Sequence, residues 1–257
     1  MTGRFGASDR GQANVVGVAL LLGITVVSLG VLTAGVGSVV EEEASRVDAR
    51  RVAAAMDDAL QPAARTGPAT GRLSFAGGTL RVEERTLRVF AGEPRSLAAE
   101  REVRALVFTA GDRRAAFVAG AVVRGSAGNA AVVGEPPFAN GDGVLLVGSA
   151  ELGSAAGGAV GSAATGAPGG ATTVRLRTNT THDRRALGEG RYSVAIETET
   201  PEAWARYFRS RGATVRESEF EDFDNDGVVS VVAEYPGRRT AYLVVHRLRL
   251  RVEVVGA

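Results

Sequence analysis

The sequence predicts an α+β fold, in which a long N-terminal helix precedes an antiparallel β-rich head that carries one short helix. Three observations support this fold class. Residues 15–40 contain no charged side chain and no His, residues 41–66 place apolar residues at helical spacing, and residues 71–257 alternate apolar and polar residues. A spacing near 3.6 is typical of a helix, and a spacing of two is typical of a strand with one buried face.

The apolar run predicts a transmembrane helix over residues 12–40. At 1.5 Å per residue the uncharged stretch is about 39 Å long, whereas the hydrocarbon core of a bilayer is about 30 Å thick. Arg4 and Arg10 precede the run and three glutamates follow it. The charge asymmetry predicts a single-pass protein of the cell membrane, with a cytoplasmic N-terminus and the bulk of the chain extracellular. A secretory signal peptide is the alternative, although its apolar core is usually about 7–15 residues long.

The remaining chain divides into a stalk and a head. Residues 41–66 predict a stalk helix that continues the transmembrane helix and ends near Pro62. Residues 71–257 predict the β-rich extracellular domain, in which residues 148–171, rich in Gly, Ala and Ser, form a flexible loop. Thr200 followed by Pro201 predicts the start of the one short helix of the head.

Composition excludes several classes of protein. The net charge is +1, all 30 basic residues are Arg, and no basic patch is interleaved with aromatic residues, so we expect no nucleic-acid partner. The chain has no Cys, which excludes thiol catalysis and cysteine-based metal sites. No nucleophile–base set and no phosphate-binding loop are visible, so we expect a protein that is not an enzyme and has no cofactor.

A processing site is predicted at the start of the apolar run. Arg10 and Gly11 stand directly before Gln12, and the uncharged helix follows. This order matches the pattern that archaeal prepilin peptidases cut, so residues 1–11 are predicted to be a leader (a class III signal peptide) and Gln12 the first mature residue. The alternative is an uncleaved signal anchor.

The N-terminus, together with two internal segments, resembles archaeal type IV pilin-like surface proteins of the haloarchaea. The internal segments are residues 117–124 (FVAGAVVR), which lead to 135–138 (EPPF), and residues 204–212 (WARYFRSRG). The sequence departs from many type IV pilins at Val16, the fifth mature position, where they carry Glu. The resemblance implies a hydrophobic stalk helix with an extracellular β-rich head, and other pilin-like subunits, a prepilin peptidase and the membrane as partners.

A cluster of acidic residues predicts a candidate calcium site. Asp222, Asp224 and Asp226 precede Gly227 in the order D-x-D-x-D-G, and alternating carboxylates in a turning backbone can converge on one hard cation. The twelfth position of the loop, where a bidentate acid is expected, is Ala233. A polar hairpin turn between two strands is the alternative interpretation.

Two further features complete the candidate residues. Asn179 begins an Asn-Thr-Thr sequon, which predicts an N-glycosylation site. His182 and His246 are the only histidines; the sequence places His182 in a polar loop and His246 after an apolar strand, and predicts no metal site for either.

These observations predict a pilin-like, single-pass membrane-anchored surface protein with a structural role. The more specific prediction is a minor subunit of an archaeal type IV pilus-like filament. The alternative is a membrane-anchored extracellular binding module that does not polymerise. An anchored hydrolase is a third class, and no candidate catalytic residues support it.

Overall fold

The structure is a computed structural model, and it describes residues 9–61, 66–126, 128–154, 164–165, 170–216 and 220–256. Strands hold more of the described residues than helices do, so the described part of the chain is mostly β. The predicted α+β class, with a long transmembrane helix as a major part of the fold, is therefore wrong. The predicted loop over residues 148–171 lies largely outside the described residues, and its first part, to Ser154, is a strand.

Helix α1 (Asp9–Leu60) contains 52 residues. No helix in the described part of the chain is long and apolar enough to cross a membrane. This finding contradicts the transmembrane helix predicted over residues 12–40, the single-pass topology and the cell-membrane localisation.

Thirteen strands are described, and they form two sheets. The strands are β1 (Gly67–Phe75), β2 (Thr79–Glu83), β3 (Thr86–Ala91), β4 (Ser96–Glu102), β5 (Ala105–Ala110), β6 (Arg113–Val118), β7 (Ala121–Gly125), β8 (Ala131–Gly134), β9 (Ala139–Gly141), β10 (Val144–Ser154), β11 (Ala164–Thr165), β12 (Thr172–Glu197) and β13 (Ser230–Gly256). The first sheet has the order β4-β3-β12-β13-β10-β9, with β1 also paired to β12. The second sheet has the order β11-β2-β5-β6-β7-β8.

The two longest strands, β12 and β13, form one antiparallel ribbon. The sequence predicts loops over residues 180–190 and 236–240, because these residues are polar. In the structure they continue the strands, since both faces of the ribbon are largely exposed there and each strand satisfies the backbone of the other. The pairing of β13 with β10 is parallel, so the predicted purely antiparallel arrangement is also wrong in this detail.

The second sheet is buried on both faces. On one face, Leu106, Phe108 and Phe117 join a core that includes Val52 and Met56 of α1. On the other face, alternate residues of the same strands join a second core, which is formed with β3, helix α2 and the far end of the β12–β13 ribbon. The alternation of side chains along β5 and β6 thus supplies both cores from one sheet.

Helix α2 (Pro201–Ser210) confirms the short helix that the sequence predicts after Thr200. Its apolar face carries Trp204, Tyr207 and Phe208, and all three side chains are buried. Thr200 forms no side-chain cap, so the helix start depends on the fixed φ of Pro201 and on Glu202 in the first turn.

Candidate functional site

The segment of α1 over residues 17–30 (hereafter the apolar segment) presents large apolar side chains to solvent. The side chains of Val18, Leu20, Leu21, Leu22, Ile24, Val26, Val27 and Leu29 are each between 56% and 68% exposed. Because these positions follow one another almost without a gap, they cover every side of the helix rather than one stripe. A helix that is apolar on all sides requires burial against something else.

Helix α1 changes character after Ser45. Ala49, Val52, Ala53 and Met56 are buried against the sheets, and Asp48 is 5% exposed. The Oδ2 atom of Asp48 accepts hydrogen bonds from the backbone N–H groups of the β1–β2 turn. This second half of the helix is therefore part of the folded domain, which is one compact unit over Ser45–Ala257.

The predicted processing residues lie in the backbone of α1. Gly11 and Gln12 are in the first turn of the helix, which begins at Asp9. Hydrolysis of the peptide bond between them would require this turn to unwind, because a peptidase has to reach a carbonyl group that a helix directs along its axis. Cleavage at this bond stays a prediction.

The acidic loop, residues 221–230, joins two short pieces of β-structure. Glu221 pairs with Ser230 at its base, and Asn225 and Gly227 adopt positive φ values of 60° and 89°. The backbone N–H of Gly227 donates to Oδ2 of Asp222 at 3.1 Å. These local hydrogen bonds are those of a polar turn, which supports the alternative interpretation of the motif.

The three carboxylates of the acidic loop do converge. Asp222, Asp224 and Asp226 each offer one oxygen, and these oxygens lie within 4.8 Å of one another. Oδ1 of Asp222 is buried and has no hydrogen-bond partner. Hard oxygen ligands of this kind suit Ca²⁺. Ala233, at the position of the missing bidentate ligand, is buried in β13 and cannot coordinate a cation.

A guanidinium group already occupies part of the acidic loop. Arg88 donates from Nη2 to Oδ2 of Asp224 at 3.0 Å, and its Cζ lies 5.0 Å from the ring centroid of Phe223. This hydrogen bond is the main reason that the pKa of Asp224 lies below its ordinary value. The side chain of Arg88 is only 8% exposed, so the loop is fixed to the first sheet by a largely buried cation.

One further carboxyl lies near the acidic loop. Glu197, at the end of β12, is 2% exposed. Burial, followed by the charges of Asp226 and Asp224, raises its pKa, against an opposing effect of Arg85. Glu197 was not among the predicted site residues, because its proximity to the loop depends on the pairing of β12 with β13.

Asn179 lies in β12 and is exposed. Its partner across the ladder is Pro68 of β1. The side chain of Asn179 is therefore exposed on a strand whose backbone is paired with β1, and its glycosylation stays a prediction that an intact-mass spectrum can test.

The structure brings the two histidines together, which the sequence analysis did not predict. His182 and His246 are direct partners on β12 and β13, and their Nδ1 atoms are 2.7 Å apart. The Nε2 atom of His182 is 2.9 Å from Oγ1 of Thr66. Burial, and then the charge of His182, lowers the pKa of His246 to about 4. The register of β12 against β13 places the two histidines opposite each other. It could be found only if residues 180–190 were recognised as a strand.

The chain belongs to a family of unknown function, DUF7289, whose model matches residues 10–251. The match begins at Arg10 and so includes nearly all of α1 as well as the β-domain. No curated protein matches the chain, and no solved structure matches it either.

Proposed function

We propose that this protein is a structural, pilin-like subunit that assembles with further pilin-like subunits, copies of itself included, through the apolar segment of α1. The observation that carries the proposal is the exposure of eight large apolar side chains on all sides of that segment. Burying them together contributes on the order of 10 kcal/mol, at about 1.5–3 kcal/mol for each fully buried side chain. That gain is comparable with the whole stability of a typical domain.

A second copy of the segment suits it better than a polar partner. Residues 17–30 carry no charge, so a partner has no ion pair to form. Gly17, Gly23 and Gly30 have open space where a side chain would extend. Small residues of this kind let two helix axes approach closely, and the neighbouring Leu and Val side chains can then interdigitate as ridges and grooves.

The proposal includes maturation by a prepilin peptidase at the bond between Gly11 and Gln12. Removal of residues 1–11 deletes Arg4, Asp9 and Arg10. The helix would then start with uncharged side chains, so that residues 12–40 would bring only the charge of the new α-amino group into a bundle of helices. A structural role rather than a catalytic one is part of the same proposal.

A binding module that does not polymerise is the second candidate function. The convergence of three carboxylates in the acidic loop favours it, because these oxygens could recognise a cation or a cationic ligand. The hydrogen bond from Arg88 to Asp224 opposes that use, since it places a positive charge beside the carboxylates.

The assembly proposal is tested with the full-length chain and two matched substitutions. Leu21 in the apolar segment is 67% exposed, and Leu97 in β4 is 54% exposed. We expect the native chain to sediment as a large species and to form regular filaments or bundles in negative-stain electron microscopy. Leu21→Arg should abolish them, because each buried copy would bring an unpaired charge into the interface. Leu97→Arg should leave them intact.

Three results would count against the proposal. A native chain that sediments as a monomer would overturn assembly, and so would filaments that persist in Leu21→Arg. Equal loss in Leu21→Arg and Leu97→Arg would show general aggregation rather than a helix-mediated interface. Mass spectrometry of the chain from its native cell tests maturation separately, with an N-terminus at Gln12 expected and an N-terminus at Met1 or Thr2 contrary to it.

A further inference from the structure

The chain's only two histidines lie side by side, with their Nδ1 atoms at hydrogen-bond distance. Their positions are opposite each other in neighbouring strands, which places the two side chains on one face of the β12–β13 ribbon. The Nδ1 atoms of His182 and His246 point at one another over 2.7 Å, and the rings are nearly perpendicular, at 84°. At this distance one ring N–H donates to the lone pair of the other ring, so a metal ion that replaces the shared proton would meet both nitrogens.

We infer that His182 and His246 bind one transition-metal ion of the Zn²⁺ or Cu²⁺ class through their Nδ1 atoms and so connect β12 to β13. Imidazole nitrogen is a preferred ligand of these ions. At metal–nitrogen distances of about 2.0–2.1 Å, a tetrahedral angle separates two ligand nitrogens by roughly 3.3 Å. The present separation of 2.7 Å is shorter, so the two nitrogens would have to move apart by roughly 0.6 Å when a metal ion replaces the proton between them.

Thr66 supports the assignment because it fixes the ring that the metal would use. Its Oγ1 atom lies 2.9 Å from Nε2 of His182. A histidine ligand typically donates its second ring N–H to an oxygen, which sets the tautomer and leaves the other nitrogen free to coordinate. When Nε2 of His182 donates its N–H to Thr66, the lone pair of His182 is on Nδ1, the atom that faces His246.

The site differs from the acidic loop in both its place and its chemistry. The loop offers carboxylate oxygens of Asp222, Asp224 and Asp226, which favour Ca²⁺ or Mg²⁺. The histidine pair offers two nitrogens and leaves the other coordination positions to water. Because nitrogen ligands rank Cu²⁺ above Zn²⁺, we expect the same order of affinity at the pair. The inference does not rest on assembly through the apolar segment.

Calorimetry with the full-length, EDTA-treated chain tests the inference. Zn²⁺ alone is titrated in the presence of excess Ca²⁺, which occupies the carboxylates. We expect one Zn²⁺ per chain, binding weakened roughly tenfold or more by His182→Gln, and a smaller loss in Thr66→Val. Asp226→Asn is the matched control and should leave Zn²⁺ binding unchanged. His182 is exposed, so the His182→Gln variant retains the fold on which the comparison depends.

Pulsed EPR on the Cu²⁺-loaded chain gives an independent readout. Two coordinated imidazoles are expected in the native chain and one in His182→Gln. The inference is overturned if native Zn²⁺ affinity equals that of His182→Gln, if only Asp226→Asn weakens binding, or if the Cu²⁺ spectrum shows no imidazole nitrogen. Each of these outcomes leaves the assembly proposal untouched, because none of them involves residues 17–30.

Discussion

Asp48 of helix α1 accepts a hydrogen bond from the backbone N–H of Ala76, with 2.7 Å between the nitrogen and Oδ2. The same oxygen accepts a second hydrogen bond from the N–H of Gly77 at 3.2 Å. One buried carboxylate thus satisfies two donors of the β1–β2 turn and fixes the helix to it. A hydrogen bond to a charged group contributes about 1.5–3 kcal/mol, and an unsatisfied buried donor costs about as much again.

Asp48→Ala should therefore lower the free energy of unfolding by roughly 2–4 kcal/mol. Asp48→Asn should cost less, since an amide oxygen can still accept one of the two hydrogen bonds. Chemical denaturation followed by circular dichroism measures both values. Glu41→Ala, an exposed acidic residue of the same helix, is the control and should change stability by less than about 0.5 kcal/mol. Equal stability of Asp48→Ala and the native chain would contradict the role assigned to this carboxylate.

The contact between α1 and β1 depends on a missing side chain. A Cβ atom placed on Gly71 would lie 2.2 Å from Cβ of Ala59. Because Ala59 is part of a helix whose neighbours are buried, it cannot move aside without shifting α1. Gly71→Ala should destabilise the fold by about 1–3 kcal/mol.

A double substitution distinguishes this clash from other effects of Gly71→Ala. The addition of Ala59→Gly removes the opposing methyl group and should recover part of the lost stability, less about 1 kcal/mol for a glycine near the end of a helix. Gly141→Ala is the matched control, because nothing lies within 4 Å of a Cβ at that position. A double variant no more stable than Gly71→Ala would count against the proposed contact.

His246 makes the stability of the metal-free protein depend on pH. Its folded-state pKa is lowered to about 4, against an ordinary value of 6.5. Below pH 6.5 the unfolded chain binds a proton that the folded chain does not, so stability is complete above pH 6.5 and falls as the pH drops toward 4. The difference between the two pKa values corresponds to roughly 3 kcal/mol.

Denaturation in EDTA at pH 7.5, 6.5, 5.5 and 4.5 measures this loss. The native chain should lose stability over that range by more than His246→Gln, which has no proton to bind at this position. The comparison removes the contribution of carboxylates, which also titrate near the acid end and are present in both proteins. Parallel stability curves for the two proteins would show that His246 is not responsible.

The acidic loop should bind Ca²⁺ only weakly. Arg88 holds Asp224, and Ala233 stands where a bidentate ligand would be required. We expect calorimetry to show a Kd no tighter than about 1 mM, at the weak end of the range for calcium-binding modules. Arg88→Gln should tighten the binding by freeing the carboxylate of Asp224. A Kd of tens of micromolar in the native chain, lost in Asp226→Asn, would be contrary to this expectation.

Local sequence signals predicted some elements well and others poorly. Pro201 and Glu202 define the start of α2 because a fixed φ and an acid in the first turn act on their immediate neighbours. Residues 180–190 form a strand for a reason that no local pattern carries, since their backbone partners are about 60 residues further along the chain. The predicted transmembrane helix was wrong for a related reason: an uncharged composition does not specify what surrounds a helix.

The contacts of the candidate sites also fall into two groups, those set by local spacing and those set by strand pairing. The convergence of Asp222, Asp224 and Asp226 follows from their spacing in one loop, and it could be predicted. Arg88, Glu197 and the pair of histidines reach their partners through strand register. A register is set by the whole hydrophobic pattern and the turns of a sheet, so these contacts could not be derived from any single motif.

The β12–β13 ribbon has a mechanical consequence. Its lower end carries Leu176 and Leu248 into one hydrophobic core, and its upper end carries Val194 and Val231 into the other. Neither core can unfold unless β12 separates from β13, so the domain should unfold in a single cooperative transition. A pull applied along the two strands would shear many backbone hydrogen bonds at once, which makes this domain well suited to resist tension.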